Sequence, residues 1–328
     1  MSKEIQTFRV ENEDPSAHRL DLFLSVKTGR SRAYVKLQIS KAAVSVNRAI
    51  VDKPSQKLRL GDVVEVKFGP EKALDLVPVE KPLDILFEDA DLIVINKPQG
   101  WVVHPAAGHK GETLVHYLLY HMQHSTEFRE TSGSRPGIVH RLDRGTSGCL
   151  IVAKNRTALE KLAAQFKIRA VKKQYEAIVY GKMKESGSFR NSIGRHPTDR
   201  KKMSSRTLEA RDAVTDWKKA EAFPHFTLVD CFPLTGRTHQ LRVHLSEGGH
   251  PIVGDPLYGK RAAARMNSHL HPSIEAAIAP LENPFLHARK LSFFQPSTGK
   301  PIEVDAKRPE GFDQFVSLLR EHDREREK

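Results

Sequence analysis

Short apolar runs bounded by turn residues, and not alternating one-for-one with helical patterns, set the tightest limit on how this chain can fold. Ile85-Leu86-Phe87 and Leu92-Ile93-Val94-Ile95 flank the acidic turn Glu88-Asp89-Ala90-Asp91, which is the pattern of a β-hairpin. Leu150–Val152, Tyr175–Tyr180 and Phe226–Val229 are further strand-type runs. Helical spacing predicts helices through Leu114, Val115, Leu118, Leu119 and Met122, and through Leu159, Leu162, Ala163 and Phe166. Thr238 to Ser246 reads as another, with Leu241 and Leu245 on one face and Gly248-Gly249 as its stop. Phe312, Phe315, Val316 and Leu319 mark a last one. Strands outnumber helices without strict βαβ alternation, so the expected class is α+β: a largely antiparallel mixed β-sheet with flanking helices.

Ahead of this domain lies a smaller αβ module. Leu20, Phe23, Leu24 and Val26 give one helical face, and Ser31 is a candidate N-cap for a second helix carrying Tyr34, Val35 and Ile39. Val44 and Val46 alternate, as do Val64, Val66 and Phe68, with turn chemistry between them. The 328 residues suit two domains. The expected division is a loose polar tail over 1–15, the module over 16–69 and a linker over 70–84 containing Pro70, Pro78 and Pro82. The sheet domain follows over 85–308, and 309–328 form a C-terminal helix with a frayed, charged end from Glu321.

Charge narrows the partners. The chain carries a formal +13, and Ser16 to Phe68 alone holds 11 Lys and Arg against four carboxylates. A surplus of that density marks a contact surface for a polyanion, although a solvated basic surface gives the same count. The two cysteines, Cys149 and Cys231, lack a CxxC partner, which disfavours a disulfide framework or a zinc ribbon. No apolar run approaches the ~20 residues needed to cross a bilayer, and the first residues lack an apolar leader, so a cytoplasmic protein with no membrane partner is expected. His116, His121 and His124 do not share a chelating helix face, His239 and His244 are five apart, and no HExxH occurs, so no catalytic metal is expected. P-loop, dinucleotide-binding and kinase signatures are absent as well.

Three clusters carry chemistry. In His140-Arg141-Leu142-Asp143-Arg144 one carboxylate sits between two guanidinium groups, ahead of the Thr146-Ser147-Gly148 turn. Cationic neighbours favour the charged form of Asp143, suiting it to nucleophilic or base work more than to acid work. A solvated Arg-Asp-Arg turn is the plainer alternative, but the position between two β-type runs favours a site. Thr235-Gly236-Arg237-Thr238-His239-Gln240-Leu241-Arg242-Val243-His244 is the second cluster; a helix beginning there puts Thr238 and Arg242 on one face. Lys172-Lys173-Gln174-Tyr175 is the third, its tyrosine equally readable as sheet packing.

With these clusters in this order, the chain resembles the RluA-type family of RNA pseudouridine synthases, within it the RluD-like group that modifies large-subunit ribosomal RNA. Further matching segments are Asn96-Lys97-Pro98, Val102-Val103-His104-Pro105, Arg195-His196-Pro197, Gly249 through Asp255 and Leu286-His287-Ala288. The basic module resembles an S4 RNA-binding domain, with Ala42 and Asn47-Arg48 standing where that pattern has glycine. The resemblance implies that Asp143 attacks the target nucleoside, so that uracil detaches, rotates and rejoins through C5. It implies further that Tyr175 packs against the base and assists proton removal, that Arg242 pairs with Asp143, and that Arg141 fills the stack left by the flipped uridine. His140, Arg237, Arg32 and Lys36 are expected at the RNA, and Arg144 has no assigned role. Isomerisation has no net redox change, so no cofactor is expected; the partner is structured RNA, and the enzyme should act as a monomer. Transfer RNA as substrate, or a binding-only ribosome-assembly factor, are the competing readings. RNA affinity should fall on the order of a thousandfold between about 50 and 200 mM salt if six phosphates are contacted, and should weaken on deletion of residues 1–70. Filter binding across a salt series checks this, and a salt-insensitive affinity would refute it.

Overall fold

In the computed structural model the chain divides into two compact units, Met1–Asp75 and Leu76–Lys328. The structure describes residues 5–11, 19–30, 32–67, 76–105, 109, 111–130, 136–207, 209–266 and 270–326.

The N-terminal unit runs β1 (Gln6–Arg9), α1 (Leu20–Thr28), α2 (Arg32–Ser40), β2 (Val44–Val46), β3 (Ala49–Ile50) and β4 (Val63–Val66). Its four strands form one antiparallel sheet in the order β1-β4-β2-β3. Leu20, Phe23 and Leu24 of α1 and Val35 and Ile39 of α2 pack on the sheet valines. Val26, predicted on the buried face, is exposed. Part of the expected loose tail is ordered: β1 pairs with β4, and Val10 enters the core. The alternation of Phe8 and Val10 carried that signal, beneath the polar composition around it. The candidate N-cap Ser31 and the strand end Phe68 lie outside the described residues. Ala42, Asn47 and Arg48 hold φ of 56°, 51° and 67°, the left-handed backbone for which the S4 pattern has glycine. For a side-chain-bearing residue that conformation costs roughly 1 kcal/mol. Asn47 recovers some of it, because its side chain accepts from the Val63 N–H and donates to Asp62. Two successive positive φ values at Asn47-Arg48 are the geometry of a two-residue hairpin turn, here joining β2 to β3.

The second unit opens with the predicted hairpin, β5 (Ile85–Glu88) and β6 (Leu92–Lys97). Residues 76–84, expected as linker, contain no helix or strand, yet Leu76, Val79 and Leu83 lie against the core. Then come α3 (Leu114–His121), α4 (Thr126–Glu130), β7 (Ser147–Ala153), α5 (Arg156–Lys167), β8 (Lys172–Tyr180), β9 (Ser186–Phe189), β10 (Gly194–Arg195) and β11 (Met203–Ser204). They continue as β12 (Thr215–Ala222), β13 (Phe226–Pro233), α6 (Gln240–Glu247), α7 (Lys260–Met266), α8 (Pro272–Ile278), β14 (Leu286–Phe294), β15 (Pro301–Asp305) and α9 (Glu310–Arg326). Nine strands form one mixed sheet in the order β5-β6-β7-β14-β8-β13-β12-β9, with β15 on β14. Its one parallel pair is β7 with β14; the remaining ladders are antiparallel. The class is α+β, with helices flanking an almost wholly antiparallel sheet.

β7 is buried along its whole length because both sheet faces are covered. Leu150 and Val152 pack under α3, while Cys149, Ile151 and Ala153 pack with Ala158 and Leu162 of α5. That explains its unbroken apolar run where a one-sided strand would alternate. Asn155 caps α5, its side chain accepting from the Ala158 N–H. The terminal helix α9 buries Phe312, Phe315, Val316 and Leu319, and remains helical to Arg326 where a frayed end was expected. Strands β9, β12 and β15 escaped sequence reading because they are short or polar, and β14 because Arg-Lys interrupts its apolar residues; cross-strand pairing forms them.

β7 meets β14 at Gly148, whose φ is 108° and whose missing Cβ would lie 2.2 Å from the Ala288 carbonyl oxygen. Replacement of Gly148 by Ala should therefore destabilise the protein by about 2–5 kcal/mol through backbone strain and overpacking. Chemical denaturation of Gly148→Ala measures this, and near-native stability would mean that the junction relaxes freely.

Candidate active site

The loop that leads into β7 carries the first cluster, and the sheet explains its course. Past Gly148, β7 has no strand among the described residues on the side away from β6, so its backbone N–H groups there need other acceptors. The loop supplies them. Gly137 O accepts from Ala153, Ile138 bridges Val152, and Nε2 of His140 accepts from Ile151 at 2.9 Å. The His140 ring also stacks on Phe166 of α5, centroids 4.7 Å apart. Burial, then the Lys173 charge, holds its pKa down at about 3. His140 is thus a neutral ring committed to the fold, although it borders the site.

Leu142 is anchored in the core, and Asp143 opens a turn in which its carbonyl accepts from the Thr146 N–H at 3.0 Å. Arg144 is tied to the neighbouring turn: its carbonyl accepts from Gly100 N–H at 2.8 Å, and its Nε donates to Gly100 O at 3.2 Å. The fully buried Lys97 ammonium donates to the carbonyls of Pro98, Trp101 and Arg144, three acceptors for three N–H bonds. Burial pulls Lys97 down to about 7 against the opposing pull of the Asp143 charge.

Arg242, on α6, reaches Asp143 through Nη1 at 3.3 Å from Oδ2. Its stronger partner is Asp255, which takes Nε at 2.7 Å and Nη2 at 2.8 Å in a two-pronged pair. Asp255 is fully buried and also accepts from the Leu257 and Tyr258 N–H groups. Burial alone would lower the Arg242 pKa, but the Asp255 bonds together with the Asp255 and Asp143 charges outweigh it and leave it raised. The Arg242 guanidinium lies 5.1 Å from the Tyr258 ring centroid, a cation–π contact. Helix α6 begins at Gln240, two residues later than predicted, because His239 takes a left-handed φ of 56° at its N-cap and leaves Thr238 outside. Such a backbone costs on the order of 1–3 kcal/mol and tends to occur at functional sites. Gln240 holds the preceding loop: its Oε1 accepts from the Thr235 hydroxyl and the Arg237 N–H, and its Nε2 donates to Val214 O and Thr215.

Tyr175 lies on β8 opposite Cys231, only 9% exposed. Burial, then the Asp143 charge, pushes its phenol well above its ordinary pKa, so that it stays protonated. Lys173, two residues earlier, donates to Thr235 O at 3.0 Å; burial, then Arg169, brings it down to about 8. Asp143, Tyr175, Arg242, Arg141, His140 and Arg237 all line one cavity of about 520 Å3, together with Lys167, Arg169 and Lys173. Asp143 is the one carboxylate among its lining residues, against six Arg and Lys side chains. Arg141 is exposed there and, among the described residues, makes no hydrogen bond or ion pair, whereas Arg237 donates to Asp212 O.

The two remaining predicted residues belong to the N-terminal unit. Arg32 donates to Asp21 at 2.8 Å, and the Lys36 ammonium lies 3.7 Å from the same carboxylate, which Arg19 also holds. Burial alone would raise Asp21, but the Arg19 and Arg32 hydrogen bonds overcome it and lower its pKa. Both side chains remain about half exposed, so one edge of each cation is tied to the fold and the other faces outward. Sequence reasoning passed over Asp255, Lys97, His239 and Tyr258 as site residues. The first three stand inside matched motifs, but only their contacts separate them from neighbouring residues.

A cavity that gathers six cations around a single Arg-bound carboxylate, on an α+β sheet, suits an anionic substrate. Residues 91–247 match the family described as RNA pseudouridylate synthase, and residues 18–64 match the S4 domain. An uncharacterized RNA pseudouridine synthase of Bacillus subtilis is 39% identical, over 95% of this chain and 97% of its own. The ribosomal large subunit pseudouridine synthase D of Vibrio cholerae is 35% identical over 98% and 97%, and that of Xanthomonas campestris 39% identical over 82% and 79%. The solved structure of human RNA pseudouridylate synthase domain containing 4 aligns with a TM-score of 0.55 at 28% identity, covering 72% of this chain and 92% of that one. The chain belongs to the RNA pseudouridine synthase family and carries an S4 domain.

Removing Asp255 would strand the buried Arg242 charge. Asp255→Ala should cost about 3–5 kcal/mol of stability, as expected for a broken buried pair. Urea denaturation is the check; a loss below about 1 kcal/mol would mean that Asp143 or water replaces the lost partner.

Proposed function

We propose that this enzyme converts specific uridines of large-subunit ribosomal RNA to pseudouridine, with Asp143 as the catalytic carboxylate. The observation that carries the reading is the isolation of Asp143 as the sole carboxylate lining a cavity to which six Arg and Lys side chains also contribute. The choice of large-subunit RNA rests on the relatives that bear that name and match along nearly the whole chain. The S4 domain and the basic surplus of the N-terminal unit support a structured RNA as partner.

In this reading the target base leaves its stack, at a cost of a few kcal/mol, because C1′ is out of reach within a helix or stacked loop. The unpaired guanidinium of Arg141 takes the vacated place and recovers part of that cost. The Asp143 carboxylate attacks the nucleoside and the C1′–N1 bond breaks. The uracil turns, its C5 attacks C1′ and displaces the Asp143 carboxylate, C5 loses its proton and N1 gains one, so atoms and charge balance and Asp143 is released. Arg242 orients the carboxylate through its Nη1 contact. Tyr175, with its phenol held protonated, supplies a flat wall against the base and a hydrogen-bond donor. The cations at the rim hold phosphates of the flanking nucleotides.

Asp143→Asn removes the charge and keeps the shape. Pseudouridine formation, read by carbodiimide mapping of large-subunit RNA, should disappear while gel-shift affinity for the same RNA survives. Turnover by the variant within about tenfold of the wild type would exclude Asp143 as the attacking group.

A further inference from the structure

We propose that Tyr258 and His239 form a positioning pair for Asp143: the Tyr258 hydroxyl donates to His239 Nδ1 and keeps the imidazole proton on Nε2, facing the carboxylate. The inference rests on Asp143 being the catalytic group. His239 Nε2 lies 4.0 Å from Asp143 Oδ2, and His239 Nδ1 lies 2.9 Å from the Tyr258 oxygen. The strained left-handed backbone of His239 is what places the ring between these two groups.

The proton inventory selects one state of the ring. Tyr258 Oη accepts from the Met203 N–H at 2.8 Å and has a single proton to give. Its possible acceptors are His239 Nδ1 at 2.9 Å and Met203 O at 3.3 Å, and the shorter contact is the better bond. Were the proton on Nδ1 of the histidine instead, the bare Nε2 lone pair would face an anionic carboxylate. A doubly protonated ring is disfavoured by burial and by the nearby Arg242 and Arg141 charges, which act against the attraction of Asp143 and Asp255. Burial also pushes the Tyr258 phenol up to about 12, so it remains a donor. The neutral ring with its proton on Nε2 satisfies every neighbour.

The consequence is directional. Arg242 Nη1 and His239 Nε2 both approach Oδ2 of Asp143, which leaves Oδ1 as the oxygen for attack. At 4.0 Å the histidine contact is longer than a hydrogen bond, and it would close when RNA fills the cavity and expels water. Asp255 is the common support of both arms, through the Arg242 side chain and the Tyr258 N–H.

Long-range 1H–15N correlation spectra of the full chain labelled with 15N-histidine test the ring state directly, with His239→Asn supplying the assignment. At pH 7 His239 should show a bare Nδ1 and a protonated Nε2, and Tyr258→Phe should release it to a tautomer mixture. A ring protonated on Nδ1, or charged at pH 7, in the wild-type protein overturns the proposal, and this needs neither variant to be active. On a large-subunit RNA transcript carrying [5-3H]uridine, Tyr258→Phe and His239→Asn should each lower kcat for tritium release by about 10- to 100-fold, with KM nearly unchanged. Asparagine tolerates the left-handed backbone at 239, so the second variant keeps the local fold. Unchanged kcat in both folded variants overturns the positioning role. Activity of Asp143→Asn with the expected spectra would instead defeat the assignment of the carboxylate and leave the hydrogen-bond geometry standing.

Discussion

The guanidinium of Arg242 is shared unequally between two carboxylates, and the catalytic unit is arranged around that inequality. Asp255 grips Nε and Nη2 at 2.7 and 2.8 Å and is itself fully enclosed, so Nη1 alone is left for Asp143 at 3.3 Å. A buried cation needs a buried anion to stay charged, and a planar guanidinium offers its donors in fixed directions. Asp255 thus neutralises Arg242, and Arg242 can orient Asp143 without being consumed by it. Asp143 keeps 19% of its side-chain surface, enough to meet a substrate. The turn beginning at Asp143 is held by Lys97 at the end of β6, which donates to Arg144 O, and by Gly100, whose carbonyl accepts from Arg144 Nε.

Around this ion group, histidines serve as neutral connectors. His140 satisfies a β7 amide where the ladder is missing. His287 donates through Nε2 to Ala306 O and accepts from Ser147, joining β14 to β7 beside Gly148. His244 links Thr215 to the Asn191 carbonyl. Burial first of all lowers the pKa of each of the three, so none adds charge near the cavity. The cavity's positive potential comes from Arg and Lys alone, which keep their charge at any physiological pH more readily than imidazole does. The separation is physical: the buried, hydrogen-bonded rings are neutral, and the exposed charge at the cavity is carried by Arg141, Lys167 and Arg169.

Much of this was legible in the chain. Short strand-type runs predicted the sheet and its class, and the basic surplus predicted a polyanion partner. Asp143, Tyr175, Arg242, Arg141, His140 and Arg237, scattered over about a hundred residues of sequence, do meet at one cavity. The losses were of two kinds. β1, β9, β12 and β15 have little apolar signal of their own and exist because neighbouring strands offer backbone partners. His140 was expected at the RNA from its place in the motif, yet the open edge of β7 ties its Nε2 to an amide, a demand invisible in residue order. Arg32 and Lys36 likewise share the buried Asp21, which the charge count registered only as one acid among many bases.

Residue types and their order were enough to predict the class of fold, to point to a polyanionic partner and to name a set of candidate side chains. They could not assign partners within that set. Arg141, Arg144 and Arg242 are equivalent as formulae, and two of them sit closer to Asp143 along the chain than the one that pairs with it. The pairing joins residues 99 apart, and the stronger pair with Asp255 joins residues 13 apart across the end of α6. Which guanidinium is buried, which is tied to a turn and which is left open depends on how far apart the folded segments lie and how much water reaches them. Charge interactions inside a protein vary steeply with both, so only the assembled sheet and its covering helix could settle them.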